Sequence, residues 1–103
     1  MEQTLIKVRN LEKFIQKHGD DPFVYQAISK MLDYKIQQYD KEIKRLDKDL
    51  ESFEHTYHKG SSVFFKEFNE GIIGDAMDLI EWASLYQMRN SLIEKKAELE
   101  GKK

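Results

Sequence analysis

The chain has 103 residues, 40% apolar and 35% charged, with one Pro, five Gly, no Cys and a net charge of −2. This is the balance of one elongated helical domain with a narrow core, expected to span 1–103, rather than of a round globule. It excludes a disulfide framework and thiol chemistry, and the pI near 5.9 comes with no basic patch of the kind that grips nucleic acid.

Met1-Glu2-Gln3-Thr4-Leu5 lacks the basic and then apolar regions of a signal peptide. No apolar run approaches the length that spans a bilayer. The expected location is the cytoplasm, with no membrane and no nucleic acid among the partners.

The first element expected is a helix over 4–18, where Leu5, Val8, Leu11 or Glu12, and Ile15 follow helical spacing. His18-Gly19-Asp20-Asp21-Pro22 is a strong break. Gly19 suits a C-terminal cap, Asp21 an N-cap and Pro22 the first helical position.

The second helix is expected over 22–58, roughly 55 Å long at 1.5 Å per residue. From Leu32 the apolar positions are Ile36, Tyr39, Ile43, Leu46, Leu50, Phe53 and Tyr57, spaced 4-3-4-3-4-3-4. That is a heptad seam, and it needs a second helix to cover it. The rest of the surface mixes six basic with seven acidic residues, a solvated face laced with helix-neighbour pairs such as Asp40–Lys44 and Glu42–Arg45.

Gly60 suits a left-handed cap, and Ser61 or Ser62 an N-cap, for a short third helix over 62–70 carrying Phe64, Phe65 and Phe68. Gly71 and Gly74 bracket a turn at Ile72-Ile73. Asp75 suits the N-cap of a last helix over 76–100, with Ile73 placed to pack on Leu79. Up to Met88 this helix is apolar on most sides, so it must touch more than one neighbour. After Arg89 only Leu92, Ile93, Ala97 and Leu99 continue a stripe, and Gly101-Lys102-Lys103 is expected to fray.

Three groups could carry chemistry. His55 and His58 share a helix face beside Glu51 and Glu54, but their spacing matches no metal signature and suits surface imidazoles near a helix C-terminus. In the group Asp75, Asp78 and Glu81, Asp75 reads as a cap, while Asp78 and Glu81, one turn apart, could hold a hard cation or act as an acid/base pair, yet no Lys, His, Ser or Gly-rich loop nearby completes a catalytic set. Acidic residues are in any case favoured at a helix N-terminus. No catalytic, cofactor-binding or metal-ligating residue is assigned, and the chain is not expected to be an enzyme.

The third group is aromatic. Trp82, the only Trp, stands with Phe64, Phe65, Phe68 and Tyr86. Such a cluster is either a packing hub or a binding patch, and the two are compatible. Residues 59–88 carry a net −3 and residues 89–103 a net +2. An acidic aromatic region suits a basic protein partner and repels phosphate.

Ser61-Ser62, Phe65, Phe68, Gly71, Gly74-Asp75, Asp78, Glu81-Trp82 and Leu85-Tyr86 resemble the SS..F..F..G..GD..D..EW..LY segment of a group of small prokaryotic helical proteins. The resemblance covers about residues 28–93. Members of that group occur beside small toxin-like genes, so it implies an antitoxin-type role: binding and neutralising a partner protein.

The expected fold is all-α: an antiparallel, coiled-coil-like hairpin of 22–58 with 76–100, a corner helix over 62–70, and a first helix packed on one end or loosely attached. The seam should face Leu79, Trp82 or Ala83, Tyr86, Ile93 and Ala97, with Phe53 and Tyr57 at the Leu79–Ala83 end. So thin a hairpin has a small core, and a homodimer is expected, with Leu32, Ile36, Tyr39, Ile43, Leu46, Leu50 and Phe53 as its self-association seam. Phe65, Glu70, Asp78, Glu81 and Trp82 are the expected partner-binding residues. No cofactor is expected. The competing function is a structural coiled-coil scaffold whose only partner is itself.

Overall fold

The computed structural model describes residues 2–102. They form four helices and, among the described residues, no strand: α1 Glu2–His18, α2 Pro22–Tyr57, α3 Ser61–Asn69 and α4 Met77–Leu99. The chain falls into two compact units, Met1–Tyr34 and Lys35–Lys103, divided within α2.

In the first unit the break after α1 follows local chemistry. Gly19 takes φ +89° and donates its N–H to the Ile15 carbonyl at 2.8 Å, a left-handed cap that a Cβ would strain. Asp21 Oδ1 accepts the Val24 N–H at 3.1 Å and caps α2. Val8, Leu11, Ile15 and Ile28, with Glu12 and Gln16, line a groove of about 260 Å³. No residue of α1 is buried, and among the described residues before Lys35 none reaches the buried class.

The second unit is a helical hairpin with a corner. Arg89 Nε lies 2.6 Å from Asp47 Oδ1 and Lys96 Nζ 2.7 Å from Asp40 Oδ1. As one helix is followed backward the other runs forward, so α2 and α4 are antiparallel. The heptad seam faces α4 of the same chain: Leu46 and Leu50 are buried, Ile36, Tyr39, Ile43 and Phe53 half-buried. Leu46 and Leu50 therefore offer no surface to a second copy. Leu32, in the first unit, is half-buried. Phe53 and Tyr57 stack on Trp82, as the antiparallel order requires. Ile93, expected in the seam, keeps 38% of its surface exposed, because away from the corner only two helices share the seam.

The core sits at the corner. Leu50, Phe64, Trp82 and Ala83 form its buried centre, with Phe53, Phe65, Phe68, Ile73, Leu79, Leu85 and Tyr86 packed around it. Trp82 and Ala83 are both inward, which the sequence left as alternatives. Three caps differ from expectation. Gly60 is extended (φ −70°, ψ 151°) and precedes α3. The left-handed residue ending α2 is instead His58, at φ +54°, because Lys59 N–H reaches back to the Glu54 carbonyl at 3.2 Å in the bonding of a Schellman cap. Neither Ser61 nor Ser62 caps α3 through its side chain. Asp75 does not cap α4, which starts after an extended Ala76.

At the other end of α4, Gly101, expected in a fraying end, is part of a hydrogen-bonded cap. It takes φ +74°, with Gly101 N–H on the Glu98 carbonyl and Lys102 N–H on the Ala97 carbonyl, again a Schellman cap. Lys103 lies outside the described residues.

Candidate interaction surface

The corner is assembled around one small residue. Ser61 opens α3, and its hydroxyl accepts a hydrogen bond from Trp82 Nε1 at 2.9 Å. Its backbone N–H, one of the donors a helix N-terminus leaves without a partner, donates to Glu54 Oε2 at 2.9 Å. A carboxylate from α2 thus caps α3, where a negative charge is favoured. Phe64 lies parallel to the indole with ring centres 3.7 Å apart, and Phe53 and Tyr57 add further stacked rings at 5.5 Å. Lys59 and Glu67 form an ion pair that ties the entry of α3 to its middle.

The turn that follows is set by glycine. Gly71 and Gly74 take φ +73° and +68°. Gly71 N–H bonds the Phe68 carbonyl and Ile72 N–H the Glu67 carbonyl, which closes α3 and projects the next residues outward. Ile72 is 67% exposed and Met77 84%, with Ile80 also exposed one turn into α4. Among them stand Glu70, Asp75, Asp78 and Glu81, all exposed and, among the described residues, in no ion pair. No basic residue lies between 70 and 81. The result is an apolar ridge with an acidic flank, beside a buried aromatic base.

The five residues expected to meet a partner divide accordingly. Glu70, Asp78 and Glu81 are exposed. Trp82 is only 1% exposed and supports the surface from beneath. Phe65 is half-buried with its ring against Tyr86. Ile72, Met77 and Ile80 were not singled out from sequence, because heptad reading treats exposed apolar positions as seam or noise. From sequence, Glu54 is a possible metal neighbour and Ser61 a cap and part of the shared segment, with no link between them. Their pairing spans a turn, and no local spacing announces it.

Elsewhere the candidate chemistry is already occupied or scattered. His55 and His58 have ring centres 6.4 Å apart, while the neighbouring Glu54 is engaged by Ser61. A polar groove of about 400 Å³ runs past Glu54, Ser61, Asp47 and Arg89, but these groups already satisfy one another. Among the described residues no group of three or more His, Cys, Asp or Glu is placed to hold a metal ion. None of the described helices is long and apolar enough to cross a membrane.

No protein-family model, curated protein or solved structure matches the chain.

Proposed function

We propose that this protein is a protein-interaction module that binds a basic partner protein through the ridge of the corner. In the setting implied by its resemblance to small prokaryotic proteins, this is an antitoxin-like neutralisation in the cytoplasm. It carries out no reaction of its own. The observation that supports this reading is the ridge itself: Ile72, Met77 and Ile80 exposed beside four unpaired carboxylates. Exposed apolar surface framed by charge of one sign is the usual signature of a docking site.

The test is the double variant Asp78→Lys/Glu81→Lys. Both residues are exposed, and surface changes usually shift stability by about 0.5 kcal/mol or less, somewhat more beside a helix N-terminus. The variant should keep its helicity by circular dichroism and lose the protein that wild type retains from host lysate. A folded variant that retains the same protein at the same salt removes the ridge as the site.

A second reading, the self-associating scaffold, is favoured by one observation: none of α1 is buried although it carries Leu5, Ile6, Val8, Leu11, Phe14 and Ile15.

A further inference from the structure

α4 has an exposed face that neither the seam nor the aromatic core uses. Glu81, Met88 and Lys95 follow one another every seventh residue, so they stand in one row along the helix. All three are exposed, Met88 to 50%. Among the described residues neither Glu81 nor Lys95 is in an ion pair. Ser84 and Ser91, also exposed, follow one edge of this face.

A groove of about 450 Å³ runs beside the row, lined by Leu46 of α2, by Met88 and Leu92 of α4 and by the polar Ser84, Gln87 and Ser91. Its charged lining is Glu42, Arg45 and Lys95, a net +1. Glu42 and Arg45 are bound to each other at 3.4 Å, which leaves the Lys95 ammonium as the groove's uncompensated charge. The other end of the face has the opposite sign. Asp78 and Glu81 stand there, with no basic residue from 70 to 81.

The face thus carries its own complement. A contact that a molecule makes with itself about a two-fold axis needs a patch that matches its own reverse. Reversed about Met88, α4 brings Glu81 level with Lys95 and Ser84 within one residue of Ser91. The acidic Asp78 and Glu98 also fall level, but they are about 160° apart around the helix and so lie on opposite edges.

We propose that this face of α4 binds the same face of a second copy, antiparallel, with the two Met88 side chains on the two-fold axis and Glu81 of each copy paired with Lys95 of the other. The small Ser84 and Ser91 let the two helices approach closely, and the second α4 covers the groove beside Leu46 and Leu92. The contact joins two hairpins into a four-helix arrangement. It places the second copy on α4, whereas the α2 seam is covered within the chain. The inference does not rest on the ridge's basic partner: Glu81 belongs to both surfaces, Lys95 to this one alone.

The experiment compares full-length chains by sedimentation velocity at low and high salt. Wild type should dimerise, more weakly as salt screens the two ion pairs. Glu81→Lys and Lys95→Glu should each stay helical and weaken the dimer at least about tenfold, since each sets like charges together at both ends of the contact. Both reversals in one chain should restore the dimer. Mixing the two single variants should restore it as a heterodimer. If a reversal unfolds the chain, Glu81→Gln and Lys95→Gln take its place and should flatten the salt dependence. Cross-linking reads the register separately, because the chain has no Cys of its own. Met88→Cys meets its own copy on the axis and should oxidise to a disulfide-linked dimer. Glu98→Cys, whose two copies would lie about 30 Å apart at 1.5 Å per residue, should not.

A wild type that stays monomeric up to about 100 μM, single reversals that leave the dimer unchanged, a double reversal as weak as the single ones, or a Glu98→Cys that cross-links as readily as Met88→Cys overturns the proposal. Lys95→Glu leaves the ridge intact and should retain the basic partner as wild type does. A monomeric wild type whose ridge variant loses the partner defeats the dimer and keeps the ridge reading. A dimer that responds as expected, while Asp78→Lys/Glu81→Lys still retains the partner, keeps the α4 contact and defeats the ridge.

Discussion

Ser61 serves two neighbours at once, and that makes it sensitive to substitution. It is 5% exposed, its N–H held by Glu54 and its hydroxyl by the Trp82 indole. Ser61→Ala removes the acceptor and leaves a buried indole N–H without one, a loss of about 1–3 kcal/mol. A urea melt should show this as a lower midpoint at unchanged slope. His58 is the opposite case. A non-glycine residue at φ +54° bears a steric cost of about 1–2 kcal/mol that glycine avoids, less glycine's greater entropy in the unfolded chain. His58→Gly should raise the melting midpoint by the equivalent of roughly 0.5–1 kcal/mol. A midpoint that falls would mean that the imidazole contributes more than its backbone strain costs.

At the scale of elements, the hairpin is held in register by two ion pairs spaced seven residues apart on each helix, Asp47–Arg89 and Asp40–Lys96. The hydrogen bond donated to Asp40 holds the Lys96 ammonium above its ordinary value of 10.5. The negative charges of Asp40 and Glu100 act the same way, against desolvation. A group whose pKa is raised on folding contributes stability that is fully present below 10.5 and is lost as pH climbs through the folded value. Melting of wild type should therefore fall more steeply above pH 10.5 than that of Lys96→Met, the two curves converging at the alkaline end.

The seam of α2 was legible because heptad spacing is a local signal: Leu46 and Leu50 are where the 4-3 pattern puts the core. Gly19 and Asp21 were legible for the same reason, since a cap acts within four residues. The capping of α3 was not. Gly60 and Ser61 carry the residue types of caps, but Glu54 had already folded across to take the N–H, and a contact between elements leaves no trace in spacing. The ridge was half legible: its charge could be counted, whereas the exposure of Met77 and Ile80 depends on which face of α4 the indole claims.

Across the whole molecule the two units differ in how they are held. All the buried side chains among the described residues lie at or after Leu46. The N-terminal unit has a groove and caps but no closed core. Amide protons opened by local unfolding exchange at a rate set by local stability. Hydrogen exchange followed by mass spectrometry should thus find 2–30 fast, and 46–50, 61–64 and 82–83 slow. Equal protection in both units would show that α1 is covered in solution.

The one tryptophan of the chain is placed where it reports on its own surroundings. Its indole is stacked on Phe64, excluded from solvent and hydrogen-bonded through nitrogen to Ser61. A dry, fixed indole emits at shorter wavelength than a hydrated one, so the native corner has an intrinsic optical signature. Fluorescence will follow the opening of the base beneath the ridge without any label.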